Sequence, residues 1–162
     1  MGLVSRIVRQ LTVSGFEYGL NIAASYTFSD KAAWNNEVNE LFPTIAFELA
    51  HSIPGLLEQY RSTMTKEDSR KLMNTSLKNQ FRSFIVNPIL KLPISMDQAR
   101  TVIVNGIDRC GYRKARTVLT IITDALEVFD LPLRFIISSN RDTRIQDVFN
   151  LPSLSKVSRN SL

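Results

Sequence analysis

Arg100-Thr-Val-Ile-Val-Asn-Gly-Ile-Asp-Arg-Cys110 decides the fold of this chain. Thr101 to Val104 are apolar or β-branched without a polar alternation, and the run stops at the turn signal Asn105-Gly106. An uninterrupted apolar run of strand length, closed by a turn, suits a strand covered on both faces, as in a parallel sheet. The end of this strand is chemically odd. Asn105 follows the apolar run directly, Asp108 comes three positions later, and Arg109 follows it.

Working outward, Ala115, Val118, Leu119, Ile122, Ala125, Leu126 and Phe129 recur at helical spacing after Gly111. Residues 131–138 (Leu-Pro-Leu-Arg-Phe-Ile-Ile-Ser) then read as a second buried strand. Upstream, residues 21–29 (Asn-Ile-Ala-Ala-Ser-Tyr-Thr-Phe-Ser) are small, β-branched and aromatic, which suits a strand. From Val38 onward, Leu41, Phe42, Ile45 and Leu49 fall on one helical face, and Pro43 must open that helix or kink it. Residues 54–64 hold a short helix with Leu56, Leu57 and Tyr60. Thr65-Lys-Glu-Asp68 has the spacing of a helix N-cap with acids in the first turn. A further helix runs from Ser76 to Pro88, its stripe of Leu77, Phe81, Phe84 and Ile85 being core material. Residues 91–98 form a loop, and short helices are expected at 3–13 and 143–149. Strand, helices, strand, helix, strand is the order of an α/β layered fold with right-handed crossovers. Residues 1–150 form one domain, and the Ser-rich residues 151–162 form a flexible tail.

Composition agrees with a folded domain: 162 residues, 44% of them apolar. The net charge of +5 and pI near 9.6 come from basic residues scattered among fifteen acids. No dedicated stripe for nucleic acid results, and no specific nucleic-acid partner is expected. The lone Cys110 excludes an intramolecular disulfide, and the lone His51 leaves no zinc cluster, so a reducing, cytoplasmic setting is expected. No apolar run approaches the length of a membrane span. His51 reads as a donor to free carbonyls at a helix end, and Cys110 as a buried structural thiol. Arg113, Lys114 and Arg116 read as a solvated first helical turn rather than an anion site.

Several segments in order carry a resemblance. Leu41-Phe-Pro-Thr-Ile-Ala-Phe-Glu-Leu-Ala50, Ser52-Ile-Pro-Gly55, Ser76-Leu-Lys-Asn-Gln-Phe81 and Val86-Asn-Pro-Ile-Leu90 resemble the NACHT-type P-loop NTPase domain of fungal NOD-like receptor proteins. Val102 to Cys110 is similar to that family's Walker B segment, and residues 131–139 to its sensor strand. The resemblance covers residues 19–149 and implies a partial P-loop NTPase-like, three-layer α/β fold: a small parallel sheet of about three strands flanked by helices. It also implies ATP or GTP with Mg²⁺ as the ligand, if binding is retained.

The same comparison shows what is missing. The phosphate-binding loop should precede the first helix, yet Gly2-Leu-Val-Ser5 is at most its tail, with Val4 in the lysine's place and Ser5 in that of the Mg²⁺-binding hydroxyl. Aligned without a gap, Gly106 takes the place of the first Walker B acid; shifted by one, Asn105 takes it. Asp108 fits the second acidic place, and Arg109 replaces the glutamate that polarises water. At the sensor, Asn140 stands where arginine is usual, Arg141 is displaced by one, and Asp142 keeps the acidic place. Charge stabilisation supplies nearly all of phosphoryl-transfer catalysis, so hydrolysis is not expected. The resemblance thus implies an N-terminally truncated, non-catalytic NACHT-like interaction or regulatory module, with no catalytic residue and no expected cofactor. Its remnant nucleotide or Mg²⁺ site would be Ser5, Asn105, Asp108, Arg109, Asn140 and Arg141. The alternatives are a weak ATP- or GTP-binding switch, or an NTPase fragment whose phosphate loop lies upstream. With the phosphate-loop strand absent, residues 131–138 would form an exposed sheet edge, through which the chain binds protein partners or itself.

Overall fold

The computed structural model describes residues 21–29 and 37–140, together with Arg144 and Asp147. Three parallel strands, β1 (Ile22–Thr27), β2 (Arg100–Asn105) and β3 (Leu133–Ser138), lie side by side in that order. Val102 pairs with Ala24 on one side and Phe135 on the other, and Asn105 with Thr27 and Ser138. β2 is therefore bonded along both edges, and its two faces are covered as well. Val102 and Val104 point into the main core, while Thr101 and Ile103, on the opposite face, are only 2% and 0% exposed. The unbroken apolar run of the sequence is the signature of this burial.

The first crossover is helical: α1 (Glu37–Ser52), α2 (Leu56–Thr63), α3 (Lys66–Met73), α4 (Leu77–Phe81), a π-helical turn (Arg82–Val86) and α5 (Asn87–Leu90). α6 (Tyr112–Val128) makes the second. The main core joins Leu41, Phe42, Ile45 and Leu49 of α1, Phe81 of α4, Phe84 and Ile85 of the π turn, and Ala115, Val118 and Ile122 of α6 to Val102 and Val104. Phe42 and Phe81 meet with ring centroids 4.8 Å apart. The α/β class, the parallel sheet and its helical flanks agree with the sequence.

Several local expectations need correction. Pro43 does not open α1; it lies inside the helix, where it withholds an N–H from the carbonyl of Asn39. The helix beginning at Ser76 does not end at Pro88 but continues to Leu90 through the π turn, in which the Asn87 N–H reaches back to the Arg82 carbonyl. Pro88 has no N–H for the carbonyl of Phe84, four residues back, and the Tyr60 phenol donates to that carbonyl instead. Burial pushes the Tyr60 phenol well above its ordinary value, so it stays a donor. Leu126 is not core but 38% exposed, at the margin of the α6 stripe. Residues 131 and 132 precede β3 rather than belong to it, and β3 is half-covered rather than buried, because it is an edge strand among those described. The loop at 91–98 contains a 3₁₀ turn (Met96–Gln98).

Other expectations hold. Thr65 caps α3 in a reciprocal box, its hydroxyl accepting from the Asp68 N–H while the Asp68 carboxylate accepts from the Thr65 N–H. His51 bonds the Phe47 carbonyl at 2.8 Å near the end of α1. Among the described residues no helix is long and apolar enough to cross a membrane. The expected helix at 3–13 and the tail at 151–162 lie outside the described residues. So does most of the 143–149 helix, of which Arg144 and Asp147 are helical.

Two measurements test this packing. Tyr60→Phe removes the phenol donor from the Phe84 carbonyl and is expected to cost about 1–3 kcal/mol in urea unfolding, with the fold retained. The Thr65 bonds hold the Asp68 carboxyl below its usual range. A depressed folded-state pKa contributes stability above the unfolded-state value, and that contribution is lost as pH falls through the folded one. The thermal midpoint of Thr65→Ala should therefore lie below that of the native chain at neutral pH, and the gap should narrow on acidification.

Candidate functional site

In parallel α/β sheets ligands gather at the carboxyl ends of the strands, where the loops leave the sheet. The structure brings four of the six candidate residues to that end: Asn105, Asp108, Arg109 and Asn140. Ser5 and Arg141 lie outside the described residues.

Asn105 is the last residue of β2 and is 3% exposed. Its register partner is Ser138, whose hydroxyl donates to Asn105 Oδ1 at 2.5 Å. The next amide, Gly106 N–H, reaches the Ser138 carbonyl at 3.0 Å and its hydroxyl at 3.3 Å. Two neighbouring strand ends are thus joined by side chains as well as by the ladder. Ser138 was not singled out by sequence reasoning, although its register opposite Asn105 follows once residues 131–138 are paired with 100–105.

Gly106 takes a left-handed conformation (φ 72°, ψ 41°) that side chains rarely adopt, and it opens a 3₁₀ turn, Ile107–Cys110. The turn folds Arg109 back over the glycine. A Cβ at position 106 would stand 3.1 Å from Arg109 Nη1 and 3.2 Å from its Cδ. The same guanidinium donates to the Phe28 carbonyl at 2.8 Å, just past β1. Arg109 is therefore a tie between the ends of β1 and β2, and glycine at 106 is what gives it room.

Asp108 performs the equivalent task for β3. Its Oδ1 accepts the Asn140 backbone N–H at 2.9 Å, and its Oδ2 accepts the Asn140 side-chain amide at 3.2 Å. Both carboxylate oxygens are engaged by the segment leaving β3. Cys110 closes the turn: its thiol reaches the Ile107 carbonyl at 3.0 Å, and burial pushes it up to about 11. Such a thiol stays protonated at neutral pH and is a poor nucleophile. Arg113, Lys114 and Arg116 are solvent-exposed in the first turns of α6, as expected.

The arrangement offers internal bonds rather than open ligands. Among the described residues no three His, Cys, Asp or Glu side chains gather as a metal site. A shallow groove of about 480 Å³ lies elsewhere, between α4 and α6, lined by Leu77, Lys78, Arg116, Thr120, Ile121 and Asp124. None of the strand-end residues lines it.

If Asp108 serves as an acceptor for Asn140, Asp108→Asn should destabilise the fold by about 1–3 kcal/mol, since a charge-assisted pair is replaced and one donor loses its acceptor. A neutral or stabilising effect would mean that the carboxylate is held in place for an external cation. Urea unfolding at neutral pH decides between these.

A family model described as Nephrocystin 3, N-terminal, matches residues 2–140. No curated protein and no solved structure matches the chain.

Proposed function

The chain belongs to the nephrocystin 3 N-terminal family, and from that premise and the strand-end geometry we propose that it is a non-catalytic NACHT-like interaction or regulatory module, related to the NTPase domains of fungal NOD-like receptors. The observation that carries the reading is the engagement of Asp108: the carboxylate best placed to hold Mg²⁺ has both oxygens bonded to Asn140. Around it, Asn105 supplies an amide already bonded to Ser138, and Arg109 supplies a fixed positive charge. A guanidinium cannot accept the proton of an attacking water, and it repels a divalent cation.

The placement of Asn105 at the last ladder position supports the alignment in which it holds the first acid's place and Arg109 the glutamate's. Among the described strands β3 is outermost, which supports reading its outer edge as the interaction surface, open to protein partners or to self-association. The lone, half-buried Cys110 suits a reducing cytoplasm.

Calorimetric titration of the purified protein with Mg-ATP and Mg-GTP tests this directly. The expected result is no binding heat. A micromolar dissociation constant would replace this reading with that of a weak nucleotide-binding switch using Asp108 and a neighbouring arginine.

A further inference from the structure

A strand bonded along one edge carries a second row of backbone groups that some other partner must satisfy. On β1 two side chains of α1 reach into that row. Phe28 N–H donates to the Asn105 carbonyl, so Tyr26 and Phe28 face β2 and Ser25 faces away from it. Glu48 Oε2 accepts the Ser25 N–H at 2.6 Å. The pairing with β2 shifts register between Ile22 and Ala24, and Ser52 Oγ donates at 2.7 Å to the carbonyl of Ala23, which lies at that irregularity. Glu48 and Ser52 stand four residues apart on α1, so one helical stripe serves both groups. Neither contact is the one its side chain makes by default. A helical serine ordinarily bonds back to the carbonyl four residues earlier, yet Ser52 Oγ is 3.0 Å from that carbonyl and closer to the strand. Glu48 forms no ion pair among the described residues, and its carboxylate accepts from a neutral amide instead.

We propose that Glu48 and Ser52 form a lock on the outer edge of β1, which stops the sheet from taking a further strand there. A strand arriving beside β1 must offer a carbonyl to the Ser25 N–H and an N–H to the Ala23 carbonyl. It meets a carboxylate already seated on the first group and a hydroxyl on the second. The carboxylate also repels the incoming carbonyl oxygen, the effect for which charged side chains are placed at sheet edges. Because the two side chains are carried by one helix, the lock is a property of how α1 docks on β1. The inference concerns β1 alone and stands whatever lies along β3.

Amide exchange on the full chain, read residue by residue, tests the lock. Glu48→Ala should speed exchange of the Ser25 amide roughly tenfold or more. The amides of Phe28 and Gly106, bonded to the Asn105 and Ser138 carbonyls, should keep their native protection and so show that the variant folds. Glu48→Gln retains an acceptor and should retain most of the protection at Ser25. Native protection of Ser25 in Glu48→Ala means that another group holds the amide, and it overturns the lock. Sedimentation velocity supplies the second reading: E48A combined with S52A should self-associate roughly tenfold more tightly than the native chain. Association equal to that of the native chain overturns the lock as well, since the edge then stays closed without the two side chains.

Discussion

The structure depends on β2 being enclosed on every side. A strand whose side chains are apolar on both faces cannot meet water on either, and a strand bonded along both edges needs a neighbour at each. Val102 and Val104 require the helices of the main core, Thr101 and Ile103 require cover opposite, and β1 and β3 complete the ladder. The helical crossovers follow, because parallel neighbours cannot be joined by a tight turn. The strand ends are therefore brought together by the needs of the fold, before any chemistry is asked of them.

At those ends the polar side chains serve the fold. Ser138 binds Asn105, Arg109 reaches Phe28, and Asp108 holds Asn140, so each strand is tied to a neighbour beyond the last ladder bond. A ligand site in such a place needs donors and acceptors left unused by the protein, aimed at a common point. Here the same residue types are aimed at one another. The polar groups stand at the strand ends, and their partners are internal.

Much of this was legible in the sequence, and the reasons differ by element. The β2 run was readable because burial on both faces leaves no polar alternation, and α6 because Ala115, Val118 and Ile122 repeat a single face. The capping box of α3 is a local motif and was visible as spacing. Pro88 misled because its usual effect, ending a helix, was overridden by a π turn and by the phenol of Tyr60, which is distant in sequence. The apolar letters of β3 made it read as buried, since apolarity does not report the number of neighbours; its place at the edge of the described strands was expected only from the resemblance. At the site, the residues Asn105, Asp108, Arg109 and Asn140 could be named from their order, but not their bonds. Pairs such as Asp108 with Asn140, or Arg109 with Phe28, exist only once β1, β2 and β3 are side by side.

Gly106 and Arg109 share one volume, and this couples what each position can accept. A carboxylate introduced at position 106 would enter a left-handed backbone site already filled by the arginine side chain. Replacing Arg109 first would remove the tie to Phe28 before any compensating bond exists. Neither single step is neutral, so the order of changes matters and their effects are not additive. The two positions are coupled through packing: a side chain at 106 must shift the same arginine arm that ties the end of β2 to the end of β1.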